Sequence, residues 1–101
     1  MPGFKEQMAM VQRAKKLQKE LSKELVEVEA GDGAVVIQFT GELKVESVKI
    51  DPSKIDLDHP EELEGWIKAA IRDGLKEAQD VATEKMKPML GSLSGMMGGM
   101  H

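Results

Sequence analysis

The sequence contains no cysteine and no tyrosine, and its 101 residues include only Phe4, Phe39 and Trp66 as aromatics. The absence of cysteine excludes disulfide bonds, thiol nucleophiles and cysteine-ligated metals. No apolar run approaches the roughly 18 residues that a membrane-spanning helix needs. No charged segment followed by an apolar segment opens the chain. We therefore expect a cytoplasmic protein with no membrane contact.

The length and composition predict one small domain that associates with a second copy. A domain of this size buries roughly 60–70% of the surface that its unfolded chain exposes. Apolar residues make up 41% of the chain, but few of them are aromatic, so the core must be mostly aliphatic. Part of the apolar surface is expected to be covered by a partner chain, and twofold closure makes a homodimer the simplest assembly.

Two changes of hydrophobic periodicity divide the chain. Apolar residues first recur at steps of three and four, which predicts an amphipathic helix beginning at Phe4 and yielding to a strand near residues 25–28. Alternation then predicts three short strands, separated by glycine-containing turns at residues 31–33 and 40–42. Pro52 ends the third strand because proline cannot donate to a sheet ladder. The apolar residues on which the three predicted strands depend are Val26, Val28, Ala30, Val35, Ile37, Phe39, Val45, Val48 and Ile50.

A second long helix is predicted to begin at Pro60. Proline suits the first helical position, and Glu61 and Glu62 lie at the positive end of the helix dipole. Pro88 is expected to stop or kink the helix. Gly74 lies in its apolar stripe and is expected to permit a close approach of the helix.

The order of elements indicates an α+β fold with a long N-terminal helix, a three-stranded antiparallel meander and a long C-terminal helix. We expect one domain over residues 1–90. The segment 91–101 is rich in glycine and methionine and is expected to be a flexible tail.

Positive charge is concentrated in the first helix of an acidic protein. Residues 1–25 carry six basic and three acidic side chains, a balance of +3, in a chain of net charge −4, which leaves −7 for the rest. At about 100° per residue, most of the basic side chains fall on one narrow stripe, apart from the acidic ones. Ammonium groups arranged in this way suit phosphates, because each contact needs only proximity. The basic stripe consists of Lys5, Gln12, Lys16, Lys19 and Lys23, bordered by Lys15.

Further segments carry a resemblance that extends over nearly the whole chain. They are, in order, the Met- and Gln-containing first helix, the run Val-Lys-Ile-Asp-Pro-Ser at 48–53, the helix 64–78, the run Glu-Lys-Met at 84–86 and the Gly/Met-rich tail. In order and spacing they are similar to the YbaB/EbfC family of bacterial nucleoid-associated proteins. The resemblance implies a homodimer whose protruding helical arms grip duplex DNA, located in the nucleoid, with a role in nucleoid organisation and gene regulation.

The resemblance also implicates the last long helix in DNA contact. Lys68, Arg72 and Lys76 recur every four residues on one side of that helix, and Arg72 and Lys76 become secondary DNA-binding candidates. The alternative is an ordinary ion-paired surface. The same alternative applies to the first helix, through pairs such as Lys16–Glu20.

The remaining residues favour a binding protein over an enzyme. Base-specific readout is not expected, because only Arg13 and Arg72 could contact guanine bidentately. We expect no catalytic residue, metal, cofactor or small-molecule substrate, since His59 merely precedes the second helix and the acidic side chains of 56–62 lack the ligand order of a calcium loop. The predicted function is phosphate-dominated binding of duplex DNA. The competing hypothesis is a protein–protein interaction module that uses the acidic surface and the Met-rich tail.

Overall fold

The computed structural model describes the backbone of residues 3–98 and the side chains of residues 3–88. Its three strands form one antiparallel sheet in the order β1–β2–β3, flanked in sequence by two helices. This arrangement confirms the predicted α+β fold, including the start of the last helix at Pro60. The elements are α1 (Phe4–Lys23), β1 (Leu25–Ala30), β2 (Val35–Thr40), β3 (Val45–Ile50), a 3-10 turn (Pro52–Lys54) and α2 (Pro60–Gly98).

Helix α2 lies against strands β1 and β2 through a row of small residues. Ala70, Gly74 and Ala78 recur every four residues, and all three are buried. A Cβ atom on Gly74 would lie 2.0 Å from Cε2 of Phe39, so the close approach predicted for this glycine is confirmed. The core beneath the helix consists of Val26, Val28, Val35, Ile37 and Phe39, with Leu63, Trp66, Ile67 and Val81 packed at its margin.

The turn between β1 and β2 requires a left-handed backbone. Gly31, Asp32 and Gly33 have φ angles of +65°, +54° and +85°, a region that glycine adopts without steric penalty. The turn packs against α2, because a Cβ on Gly31 would lie 2.5 Å from the ring of Trp66. The Lys54 ammonium donates a hydrogen bond to the carbonyl oxygen of Asp32. Gly31, Asp32, Lys54 and Trp66 line a shallow concave surface beside the turn, which results from this packing of the hairpin against α2.

Strand β3 carries apolar side chains that the helix does not cover. Phe39 pairs with Val45 and Ile37 with Val48, whereas Gln38 pairs with Ser47, so Glu46 is an extra residue in a β-bulge. The bulge puts Val45 and Val48 on the same face as Phe39 and Ile37, although three residues separate them. The apolar row Val45, Val48 and Ile50 is 56%, 53% and 45% exposed.

Of the two outcomes expected at Pro88, a stop or a kink, the stop does not occur, because α2 continues through Pro88 to Gly98. Proline removes one backbone donor, and residues 84–88 are exposed, so the carbonyl that loses its partner can bond to water. The predicted boundary at residue 90 therefore falls inside an element. Residues 99–101, and the side chains of Met96 and Met97, lie outside the described residues, and the flexibility of segment 91–101 stays a prediction.

Candidate nucleic-acid interface

Helix α1 is a surface helix along its whole length. It begins after Gly3, which has an extended backbone and provides no side-chain cap, and Glu6 and Lys23 have the signs that suit the two ends of the helix dipole. The helix has 20 residues, which corresponds to a length of about 30 Å. None of its residues is buried. Only Leu17 and Leu21 are half-buried, so α1 contacts the rest of the domain near its C-terminal end.

The basic stripe faces away from the body of the domain. On a wheel of 3.6 residues per turn, its mean direction is about 150° from the mean direction of Leu17 and Leu21. Lys5 and Lys23, its first and last members, are about 27 Å apart along the helix axis. The six predicted side chains are all exposed: Lys5, Gln12, Lys15, Lys16, Lys19 and Lys23.

The lysines of this stripe are not engaged by carboxylates of their own chain. Within the described residues, no ammonium nitrogen of α1 lies within 4.0 Å of a carboxylate oxygen, and the Lys16–Glu20 pair is absent. An ion-paired helix face is therefore not what the structure contains. The ammonium groups are available to an external anion.

The basic side chains of α2 form a separate stripe. Lys68, Arg72 and Lys76 are exposed on the side of α2 away from its buried small residues. The Nε atom of Arg72 lies 3.4 Å from Oδ1 of Asp73, so a carboxylate already neutralises part of its charge, as the ion-pair alternative predicted. Glu24, which directly follows α1, pairs with Lys85 of α2, and Lys85 is about 14 Å further along the α2 axis than Lys76. Among the described residues, no side-chain hydrogen bond or ion pair joins the two stripes.

The acidic groups after β3 have structural partners. Oδ1 of Asp51 accepts hydrogen bonds from the Ser53 hydroxyl at 2.6 Å and from the Ser53 backbone N–H at 3.0 Å. These two bonds lower the pKa of Asp51, and the charge of Lys54 lowers it further. Asp56 likewise accepts a bond from the Asp58 backbone N–H at 2.9 Å. They cap turns, and in the described part of the chain no group of three or more His, Asp or Glu side chains could hold a metal ion.

Neither helix has the character of a membrane span. Over the residues that the structure describes, no helix combines the length and the apolar composition that crossing a bilayer requires.

Sequence reasoning missed the contact that holds α1. Gly41 follows β2 and is buried, and its backbone N–H donates to the carbonyl oxygens of Leu21 at 2.9 Å and Glu24 at 3.0 Å. Glu24 also forms an ion pair with Lys85 of α2 at 3.1 Å. The sequence signals only a turn at Gly41, because a contact between residues 20 positions apart has no local pattern.

The sequence of this chain has relatives among known proteins. The chain matches the YbaB/EbfC DNA-binding family over residues 1–93. It is 38% identical over 87 residues to a nucleoid-associated protein of Chloroflexus aurantiacus, covering 86% of this chain and 87% of that protein. It is 32% identical over 105 aligned positions to a nucleoid-associated protein of Acetivibrio thermocellus, covering 96% of this chain and 93% of that protein.

The fold also has a counterpart among solved structures. The crystal structure of the uncharacterized protein HP0035 from Helicobacter pylori matches with a TM-score of 0.67 and 21% identity, covering 80% of this chain and 94% of that one. This likeness concerns the fold alone. The family match over residues 1–93 and the identities to the two relatives establish the family. This chain belongs to the YbaB/EbfC DNA-binding family.

Proposed function

We propose that the protein is a nucleoid-associated protein that binds duplex DNA as a homodimer, with the basic stripe of α1 against the phosphates. The observation that carries this proposal is the stripe itself, whose lysines are exposed, unpaired within the described residues and turned away from the body. Membership of a DNA-binding family and the names of the relatives support it. By covering or joining duplexes, such a dimer would contribute to nucleoid organisation and gene regulation.

The dimensions of the stripe suit a duplex. Base pairs repeat at about 3.4 Å along the DNA axis, so the roughly 27 Å from Lys5 to Lys23 correspond to about eight base pairs for a helix lying along the axis. Lysine side chains contact phosphates without reading bases. The expected binding is therefore weakly selective and sensitive to salt.

The acidic body does not prevent this contact. The net charge of the chain is −4, so the distant field repels a polyanion. At physiological ionic strength the Debye length is about 8 Å, which is short compared with the roughly 30 Å length of α1. The outer lysines therefore respond to nearby phosphates more strongly than to the carboxylates of the body.

The homodimer is supported by uncovered apolar surface. The row Val45, Val48 and Ile50 continues the buried face of the sheet beyond the edge of α2, and Ile71 and Leu75 of α2 are about as exposed. A second copy that covered these side chains would remove the apolar area from water, which contributes about 25 cal/mol per Å². Two copies would also present two basic stripes to one duplex.

The assembly can be tested with two adjacent substitutions. Side chains alternate between the two faces of a strand, so V48E puts a charge on the apolar row whereas K49E changes the opposite face. Light scattering should give about 22 kDa for the wild type and K49E, twice the 11.1 kDa chain mass, and a monomer for V48E. A monomeric wild type at low micromolar concentration would contradict the homodimer.

DNA binding can be tested with two double reversals of equal charge. K16E/K19E removes two lysines of the basic stripe, and K44E/K49E makes the same change in net charge at two exposed positions outside it. Fluorescence anisotropy with unrelated duplexes should show weaker binding than the wild type for K16E/K19E and unchanged binding for K44E/K49E. Its log–log salt slope should fall by about 1.8, because each of the two phosphates no longer neutralised accounts for about 0.9.

The outcomes separate the competing functions. Equal weakening by both double variants would mean that net charge, not the stripe, controls binding. A wild type with no salt-dependent binding to duplex DNA would leave the protein-interaction hypothesis as the better one.

A further inference from the structure

We infer that Gly41 sets the direction in which α1 leaves the domain, and is therefore a positioning residue for the DNA contact proposed above, on which this inference rests. The exposed part of α1, Phe4–Lys16, is called the arm. Every residue of the arm is exposed. Only the last two turns of the helix can therefore hold the arm at an angle.

A hydrogen-bonded cap fixes the end of α1. The carbonyl groups of the last helical turn have no partner within the helix and need one from elsewhere. Leu21 O accepts from the Glu24 backbone N–H at 3.2 Å and from the Gly41 N–H at 2.9 Å, and the Gly41 N–H also donates to Glu24 O at 3.0 Å. The end of α1 is thus bonded to the β2–β3 turn.

The space around Gly41 is too small for a side chain. A Cβ on residue 41 would lie 2.9 Å from Leu21 O, 3.1 Å from Leu21 Cδ2 and 3.3 Å from Leu21 Cα. Two of these three atoms belong to the backbone of α1, so a larger residue cannot be accommodated by a rotamer change at Leu21. Gly41 is not among the glycines with positive φ, and its role is therefore one of volume and not of backbone conformation.

An ion pair tethers the helix end on its other side. Glu24 follows α1 directly, and its carboxylate lies 3.1 Å from the Lys85 ammonium of α2. Both side chains are about two-fifths exposed, so the pair contributes little to stability. The Gly41 bond connects the end of α1, which is the root of the arm, to the sheet, and the ion pair connects it to α2.

Leverage makes a small change at this root large at the far end. The axial distance from Leu21 to Phe4 is about 26 Å, and that from Leu21 to Leu17 about 6 Å. If Leu21 shifts sideways by about 0.5 Å relative to Leu17, which is about 6 Å away, the helix axis tilts by about 5°. Over the much longer distance to Phe4, this tilt corresponds to a displacement of about 2 Å. A bulkier side chain at residue 41 should tilt it further. Lys5 and Gln12 would be the first residues to move out of reach of a duplex.

The experiment measures the arm and the binding separately. The chain has no cysteine, so Q7C and E29C would accept two spin labels, one on the arm and one on the open face of β1. Doubly labelled chains, refolded with an excess of unlabelled chains, would report the distance within one chain by pulsed electron resonance. The variants are G41A and G41V, with G65A and G65V as controls, because a Cβ on Gly65 meets nothing within 4 Å.

The expected result is graded. The mean distance should shift by about 2 Å in G41A and by more in G41V, and remain that of the wild type in both Gly65 variants. Affinity for DNA should fall in the same order. Each lysine–phosphate contact contributes a slope of about −0.9 to the plot of log K against log salt concentration. Between a 1 M reference and about 0.1 M salt, one contact therefore strengthens binding about eightfold, and losing it should weaken binding by the same factor.

A second variant keeps the inference testable if the Gly41 variants do not fold. L21A removes a half-buried side chain at the root without adding volume, and should broaden the distance distribution. An unchanged distance in G41V and in L21A would overturn the inference, and so would an arm that moves with no change in DNA affinity. If the wild type itself does not bind DNA, the proposed function fails, and the distances alone decide whether Gly41 sets the arm.

Discussion

The contact between Gly74 and Phe39 makes a quantitative prediction about stability. In G74A the new Cβ would lie 2.0, 2.4 and 2.8 Å from Cε2, Cδ2 and Cζ of the Phe39 ring. Carbon atoms in contact are normally about 3.5–4.0 Å apart, so the ring or the helix must move by about 1.5 Å. Phe39 is 1% exposed, so its ring is enclosed by the core and cannot swing into solvent to relieve the contact.

The expected free-energy change combines two opposing effects. Overpacking of this kind lowers the free energy of unfolding by about 3 kcal/mol, while replacing glycine by alanine inside a helix raises it by about 1 kcal/mol. We expect a net loss of about 2 kcal/mol, which for a domain of this size lowers Tm by about 8–16 °C. G65A is the matched control, because it gains the helix propensity without the clash and should be about 1 kcal/mol more stable than the wild type.

The assay is urea unfolding followed by far-UV circular dichroism, with all three proteins at one concentration because a dimer's apparent stability depends on it. A G74A variant as stable as the wild type would refute this reasoning. It would mean that α2 does not approach the sheet as closely as the structure indicates.

Three further outcomes concern Asp51, Gly31 and the segment 91–101. D51N should have a lower free energy of unfolding than the wild type at neutral pH, because the Ser53 bonds that lower the pKa of Asp51 favour its charged form in the folded state. This difference in the free energy of unfolding should narrow as the pH falls below about 4 and through the lowered pKa, where Asp51 becomes protonated in the folded protein as well. G31A should shift the emission of Trp66 to longer wavelength and lower the free energy of unfolding by about 2–5 kcal/mol, since it combines a left-handed φ with a clash; unchanged emission would show that the ring does not rest on the turn. Deleting residues 91–101 should leave the Tm nearly unchanged, because the segment lacks apolar periodicity, and a large fall in Tm would show that its methionines pack on the domain.

The positions of the elements could be predicted because each has a local cause. Pro60 with two following glutamates indicates a helix start, and the glycines at 31 and 33 permit the left-handed turn. The bulge at Glu46 could not be predicted, because a step of three between Val45 and Val48 breaks the alternation of a strand and is equally compatible with a helical turn. It becomes intelligible only when the register with β2 is known.

The residues of the candidate interface could be predicted from the sequence, but their ion pairs and the direction of the helix that carries them could not. The spacing of the lysines in α1 fixes their common direction, since helix geometry does not depend on the partner. Whether they form ion pairs depends on rotamers, and the direction of the arm depends on Gly41. Similarly, Pro88 signals a missing hydrogen bond, but exposure to water decides whether the helix ends there.

The bulge in β3 also affects how the sheet meets other chains. Unpaired strand edges are templates for aggregation, and natural sheets disrupt them with charged side chains and with bulges. Here the β1 edge carries Glu27 and Glu29, and the β3 edge is distorted at Glu46. Both edges of the sheet therefore disfavour the addition of a foreign strand, so the exposed apolar face of β3 can be covered by a second copy without inviting edge-to-edge pairing.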